Sequence, residues 1–150
     1  MGAKRILLIE DNAVNRRLAQ FLLKSQGYEV WEVGSAPEAF ASLKERQPDL
    51  ILMDIQLPGM DGLTATRQLK GDPTTRDIPV LAVTSYAMKG DEAKAFEAGC
   101  SGYVTKPIDK TLFLEAVAGR TRRAASADRG RGSRWDRPGI AGPPPPTRES

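Results

Sequence analysis

Asp49-Leu50-Ile51-Leu52-Met53-Asp54-Ile55-Gln56-Leu57-Pro58-Gly59-Met60-Asp61-Gly62 is the stretch on which the reading of this chain turns. Leu50 to Met53 form an unbroken apolar run, the pattern of a strand buried on both faces within a parallel sheet. The run ends in a carboxylate, Asp54, and passes into a loop carrying Pro58, Gly59 and Gly62. In open α/β sheets ligands sit in the crevice at the carboxyl ends of the strands. Asp54 is therefore expected where chemistry happens.

Upstream, residues 5–9 read as another buried strand that ends at Glu10-Asp11. Asn12 is an N-cap for a helix in which Val14, Leu18, Phe21 and Leu22 recur at helical spacing, up to a stop at Gly27. Residues 28–33 alternate apolar and charged as an outer strand does, with Trp31 packing on it. Ser35 caps a second helix, with Pro37 in its first turn and Ala39, Phe40 and Leu43 facing inward, ending before Pro48. Downstream, residues 63–69 form a third helix closed by Gly71-Asp72-Pro73. Residues 79–83 are a fourth strand ending at Thr84-Ser85, and 88–98 a thinly apolar helix stopped by Gly99. Gly102-Tyr103-Val104 is a short fifth strand ending at Thr105-Lys106-Pro107. A last helix runs from its N-cap Asp109 to about Ala118, with Leu112, Leu114 and Val117 among its apolar residues. Five strands alternating with five helices on short connections imply an α/β fold, a five-stranded parallel sheet wound on both faces.

The chain has 150 residues, 40% hydrophobic and 27% charged, which fits one globular domain plus some extra chain. Its single cysteine, Cys100, allows no intramolecular disulfide and suits a reducing compartment. It reads as a small buried residue rather than a redox centre. The first apolar run, residues 6–9, is too short for a signal peptide or membrane span, and Ile6 stands where a myristoylation motif wants Ser or Thr. A cytoplasmic protein is expected. There is no histidine, which excludes Ser-His-Asp and Cys-His catalysis. Any phosphohistidine in this protein's chemistry must come from another protein. The formal charge of +3 is uneven: eight arginines face three acidic residues from Gly119 onward, and residues 1–118 carry a net −2. From Thr121 the periodicity stops and a run of prolines, 143–146, follows. Residues 1–119 are expected to be the folded domain and 120–150 a basic, Gly/Pro-rich disordered tail.

Glu10 and Asp11, Asp54, Thr84 and Lys106 all stand at strand ends. If the sheet order brings these strands together, three carboxylates share one crevice and repel one another. A hard divalent cation such as Mg²⁺, with its preference for oxygen ligands, remedies this. A carboxylate held beside Mg²⁺ and a lysine can attack phosphorus to give an aspartyl phosphate. Such a transfer needs mainly positioning and charge neutralisation, which Mg²⁺, Lys106 and the Thr84 hydroxyl supply.

Ile9-Glu10-Asp11-Asn12, the loop from Met53-Asp54 to Asp61-Gly62, Thr84-Ser85 and Lys106-Pro107 together resemble the receiver domain of two-component response regulators. The resemblance covers residues 4–118. Residues 48–58 and 88–92 further resemble the single-domain cell-division regulators within that family. It implies a flavodoxin-like, CheY-like (βα)5 fold with strand order 2-1-3-4-5. It also implies roles: Asp54 as phosphoacceptor; Glu10, Asp11, Asp54 and the Gln56 backbone carbonyl as Mg²⁺ ligands; Thr84 and Lys106 as partners of the phosphoryl oxygens. Tyr103 would be a switch aromatic that moves with Thr84, Gln56 and Tyr86 would tune dephosphorylation, and the Lys106-Pro107 bond would be cis. The acidic pair is Glu-Asp where many members have Asp-Asp; the longer glutamate would still reach the metal through a water.

The expected function is a stand-alone response regulator. It would accept a phosphoryl group from a histidine kinase or histidine phosphotransfer protein and signal through protein contacts on the face of the fourth helix, fifth strand and fifth helix. It would be a monomer or weak homodimer and a signalling protein rather than an enzyme, though it assists its own phosphorylation and dephosphorylation. Two alternatives stand beside this: a phosphate sink or shuttle, and a DNA-associated regulator acting through the arginine-rich tail. The tail has no folded reader and Trp135 is its one aromatic, so a nucleic-acid partner is not expected. A haloacid-dehalogenase-type hydrolase would carry a second Asp where this chain has Gln56.

Overall fold

The computed structural model describes residues 3–85 and 91–121. The strands are β1 (Arg5–Ile9), β2 (Glu29–Val33), β3 (Leu50–Asp54), β4 (Val80–Thr84) and β5 (Gly102–Thr105). Between and after them lie α1 (Ala13–Ser25), α2 (Ala36–Glu45), α3 (Gly62–Lys70), α4 (Asp91–Ala98) and α5 (Lys110–Arg120). All strands pair in parallel in the order β2-β1-β3-β4-β5, the CheY-like flavodoxin arrangement.

The helices start where local chemistry satisfies their first N–H groups. The side chains of Asn12, Ser35, Asp61 and Asp109 accept from the backbone N–H three residues on, as N-caps do. Glu38 reaches back to the Gly34 N–H at 2.9 Å, doubling the cap of α2.

Alternation along the buried strands splits the core into two layers. Leu7, Ile9, Ile51, Met53, Val80, Ala82 and Tyr103 pack against α2, α3 and α4. Ile6, Leu8, Leu50, Leu52, Leu81 and Val83 pack against α1 and α5. Trp31 is buried on the edge strand β2, its ring 3.8 Å beneath the Arg46 guanidinium and its indole N–H donating to Glu29. It is a packing residue, as expected.

Two helices differ in detail from the sequence reading. In α1 the buried residues are Ala19, Leu22 and Leu23, whereas Val14, Leu18 and Phe21 are exposed. The spacing identified the helix, but three of its four apolar markers face outward. In α5 the fully buried anchor is Phe113, and the helix continues to Arg120 rather than ending near Ala118. Arg120 is buried because its guanidinium donates to the carbonyls of Ser101 (3.2 Å) and Ala116 (3.3 Å). A Cβ on Gly102 would collide with that guanidinium, so the absence of a side chain there makes room for it. Tyr86, the start of the expected fourth helix at residues 88–90, and the tail from residue 122 lie outside the described residues.

Candidate functional site

The sheet order sets β1 between β2 and β3, and β4 between β3 and β5. The ends of β1, β3, β4 and β5 therefore open on one crevice. Hydrogen bonding continues past the strands and holds these ends in register: Ile55 N–H donates to the Val83 carbonyl at 3.0 Å and Lys106 N–H to the Thr84 carbonyl at 2.8 Å. Asp54 ends β3, while Glu10 and Lys106 follow β1 and β5, each two residues beyond Leu52, Leu8 and Val104 of the α1/α5 layer. Thr84, two residues beyond Ala82, has the same parity as the α4-side layer to which Tyr103 belongs.

Glu10 and Asp54 are buried, at 4% and 3% exposure, and Asp11 faces solvent. Carboxylate oxygens of the three lie within 4.8 Å of one another. Lys106 Nζ stands between two of them, 2.9 Å from Glu10 Oε1 and 3.3 Å from Asp54 Oδ2. Glu10 also accepts from the Asn12 N–H at 3.1 Å, and Asp54 Oδ1 from the Gln56 N–H at 3.0 Å. Burial, followed by the hydrogen bond and charge of Glu10, pushes the Asp54 carboxyl up to about 6. Lys106 and the Gln56 N–H oppose that rise without cancelling it. One ammonium among three carboxylates leaves negative charge uncompensated, so an oxygen-preferring divalent cation fits this donor set.

Of the residues singled out in the sequence, Glu10, Asp11, Asp54 and Lys106 are together in the crevice. Thr84 is beside them at its own strand end, buried, and accepts from Gln56 Nε2 at 2.7 Å. Tyr103 is also buried, one strand away, in the α4-side layer. The Lys106-Pro107 peptide is cis. Asp61-Gly62 does more than turn the chain. Gly62 N–H donates to the Ile55 carbonyl at 3.0 Å, and a Cβ on Gly62 would strike the Asp54 carbonyl oxygen. Helix α3 thus starts in contact with the backbone that carries the Asp54 carboxylate.

Arg16 is a residue that sequence reasoning did not single out. Its Nη1 donates to the Glu10 carbonyl at 2.8 Å, and its Nε is 3.6 Å from Glu32 on β2. It fixes the turn bearing the acidic pair. Nothing local in the sequence separates it from Arg17, which is exposed.

A family model described as "Response regulator receiver domain" matches residues 6–118. The chain is 46% identical over 114 residues to the polar-differentiation response regulator DivK of Brucella ovis, spanning 76% of this chain and 93% of that protein. Among solved structures, a response regulator from Chloroflexus aurantiacus superposes with a TM-score of 0.74 at 28% identity, covering 77% of this chain and 94% of the other. The receiver domain of a sensor histidine kinase from Pseudomonas aeruginosa, solved with a magnesium ion coordinated in its active-site cleft, gives 0.69 at 35% identity, with 75% and 93% coverage.

Proposed function

This chain belongs to the response regulator receiver domain family, with DivK-like relatives, and from that premise we propose that it works as a switch phosphorylated on Asp54. The observation that carries the reading is the buried Glu10–Lys106–Asp54 bridge at the strand ends, with Asp11 beside it. Glu10, Asp11, Asp54 and the Gln56 carbonyl would hold Mg²⁺, which when bound neutralises negative charge shared by the carboxylates and an incoming phosphoryl group.

The chemistry then needs little from the chain beyond positioning. Asp54, with its carboxyl near pH 6, is mostly ionised at neutral pH and needs no general base. A carboxylate oxygen bonds to phosphorus as the P–N bond of a donor phosphohistidine breaks, its electron pair leaving with the imidazole. Lys106 turns from a carboxylate to a phosphoryl oxygen, and the Thr84 hydroxyl donates to another. Gln56 and Tyr86 would set the lifetime of the acyl phosphate.

The donor is a histidine kinase or phosphotransfer protein. Its landing surface is the outward stripe of Val14, Leu18 and Phe21, exposed at 70, 41 and 68%, on the helix that starts just after Asp11. Exposed apolar residues grouped at helical spacing next to a reactive site fit a partner surface. Output runs through α4, β5 and α5, because Thr84 and Tyr103 belong to the strands bordering that face.

The deciding experiment is phosphorylation of wild type and Asp54→Asn by acetyl phosphate and by a phosphorylated kinase, with and without Mg²⁺. Mg²⁺-dependent incorporation that the variant loses is expected. No incorporation from any donor would overturn the reading and leave a receiver fold used as a fixed binding module.

A further inference from the structure

Glu10 is gripped at its N–H, at its carbonyl and at its side chain. The N–H donates to the Val33 carbonyl at 3.1 Å, carrying the pairing with β2 past the end of β1. The side chain meets Lys106 at 2.9 Å and the Asn12 N–H at 3.1 Å. The carbonyl accepts from Arg16 Nη1 at 2.8 Å, a charge-assisted bond reaching back over the first turn of α1. Arg16 Nε in turn lies 3.6 Å from Glu32 Oε1 on β2.

That carbonyl belongs to the peptide unit joining Glu10 to Asp11. The unit is planar, so holding its oxygen holds the plane, and with it the rotation of one acid relative to the other. The two acids need this unequally. Glu10 is buried and anchored through its side chain, whereas Asp11 faces solvent. The place of the Asp11 carboxylate is set by the backbone from which it hangs.

We infer that Arg16 is a positioning residue for the acidic pair: its grip on the Glu10 carbonyl sets Asp11 against Glu10 and Asp54 for a divalent cation, and Glu32 steadies that grip from the edge strand. The inference rests on the reading of these acids as a Mg²⁺ site. Outer partners of this kind orient the groups that bind a metal, and losing one typically costs about 10–100-fold in affinity. Charge alone predicts the opposite. Removing a cation from the neighbourhood of three carboxylates leaves more negative potential for Mg²⁺ and would tighten its binding. Position and charge thus give opposite signs for one and the same variant.

Calorimetric titration of the whole chain with Mg²⁺, without any phosphodonor, reads that sign. Arg16→Met keeps most of the stem and removes every donor; its affinity for Mg²⁺ should fall about tenfold. Arg16→Lys, which can reach the carbonyl but cannot fork between it and Glu32, should fall by about threefold. Glu32→Gln should lose a similar amount, and adding it to Arg16→Met should cost nothing more, since both act through one grip. Urea unfolding of the metal-free variants separates positioning from a general loss of stability. A merely structural Arg16 would lower the unfolding midpoint and leave the Mg²⁺ affinity of the folded chain alone. Unchanged or tighter Mg²⁺ binding by folded Arg16→Met, or by Arg16→Lys should the first variant not fold, would overturn the inference. Full additivity of the two substitutions would remove Glu32 from it. Wild type that takes up no Mg²⁺ would instead sink the metal reading, and the role of Arg16 with it.

Discussion

Lys106 Nζ lies closer to Glu10 Oε1, at 2.9 Å, than to Asp54 Oδ2, at 3.3 Å. The ammonium is thus shared between two buried acids. Taking it away strands both. Lys106→Met is expected to cost about 3 kcal/mol at pH 8, in the range for breaking a buried ion pair. The cost should shrink at pH 5, where Asp54 takes up a proton and needs no counter-charge. Urea unfolding at the two pH values measures the difference; an equal cost at both would remove the charge argument.

Asp54→Asn is expected to stabilise the protein above pH 6. The native carboxyl is pushed up from 3.8 to about 6, so between those values the native state binds more protons than the unfolded chain. Stability contributed by that proton falls as pH rises through this window, then levels off. An amide at position 54 escapes the loss. The advantage of the variant should grow from pH 4 to 6 and plateau at about 3 kcal/mol. Midpoints of chemical unfolding across that range check both the sign and the window.

With Asp54 as a proposed Mg²⁺ ligand, the ion and the Asp54 proton would compete for the same oxygens. Affinity for Mg²⁺ should therefore be flat above about pH 6 and fall roughly tenfold per pH unit below it, as one proton is displaced per ion. Calorimetric titration in buffers of different ionisation enthalpy counts that proton. The same ion should raise the unfolding temperature at pH 7.5 in wild type and much less in Asp11→Asn.

Phe21→Ser together with Leu18→Ser alters only the outward stripe of α1. The change in stability should stay within about 0.5 kcal/mol, as for other exposed sites. Transfer from a phosphohistidine protein should fall by at least tenfold, whereas labelling by acetyl phosphate should be untouched. A loss with both donors would mean that the stripe supports the pocket rather than the partner.

Much of this fold is legible in single residues. The apolar runs at Ile6 and Leu50 have the pattern of strands buried on two faces, and Asn12, Ser35 and Asp109 announce their helices because a short side chain is needed to satisfy open N–H groups. The acids and the lysine at strand ends followed once the sheet order was known. The face of α1 was not legible in the same way. Val14, Leu18 and Phe21 keep helical spacing whether they point in or out, and only contact with α5 and the sheet selects Ala19, Leu22 and Leu23 for the core. Arg120 looked like the start of the basic tail, since an arginine buried by two carbonyl acceptors has no local signature. Gln56 was identified by its place after Asp54, but its reach to Thr84 and Ser85 depends on neighbours from another strand.

The buried Cys100 gives experimenters an unusually quiet background. It is 6% exposed, and burial pushes its thiol up to about 11. At neutral pH only about one such thiol in ten thousand is in the reactive thiolate form. A maleimide dye will pass it by, and air oxidation will not couple two chains through it. Any cysteine introduced on the surface becomes the sole practical handle. A fluorophore can thus be hung beside the end of β4 without first removing the native sulfur.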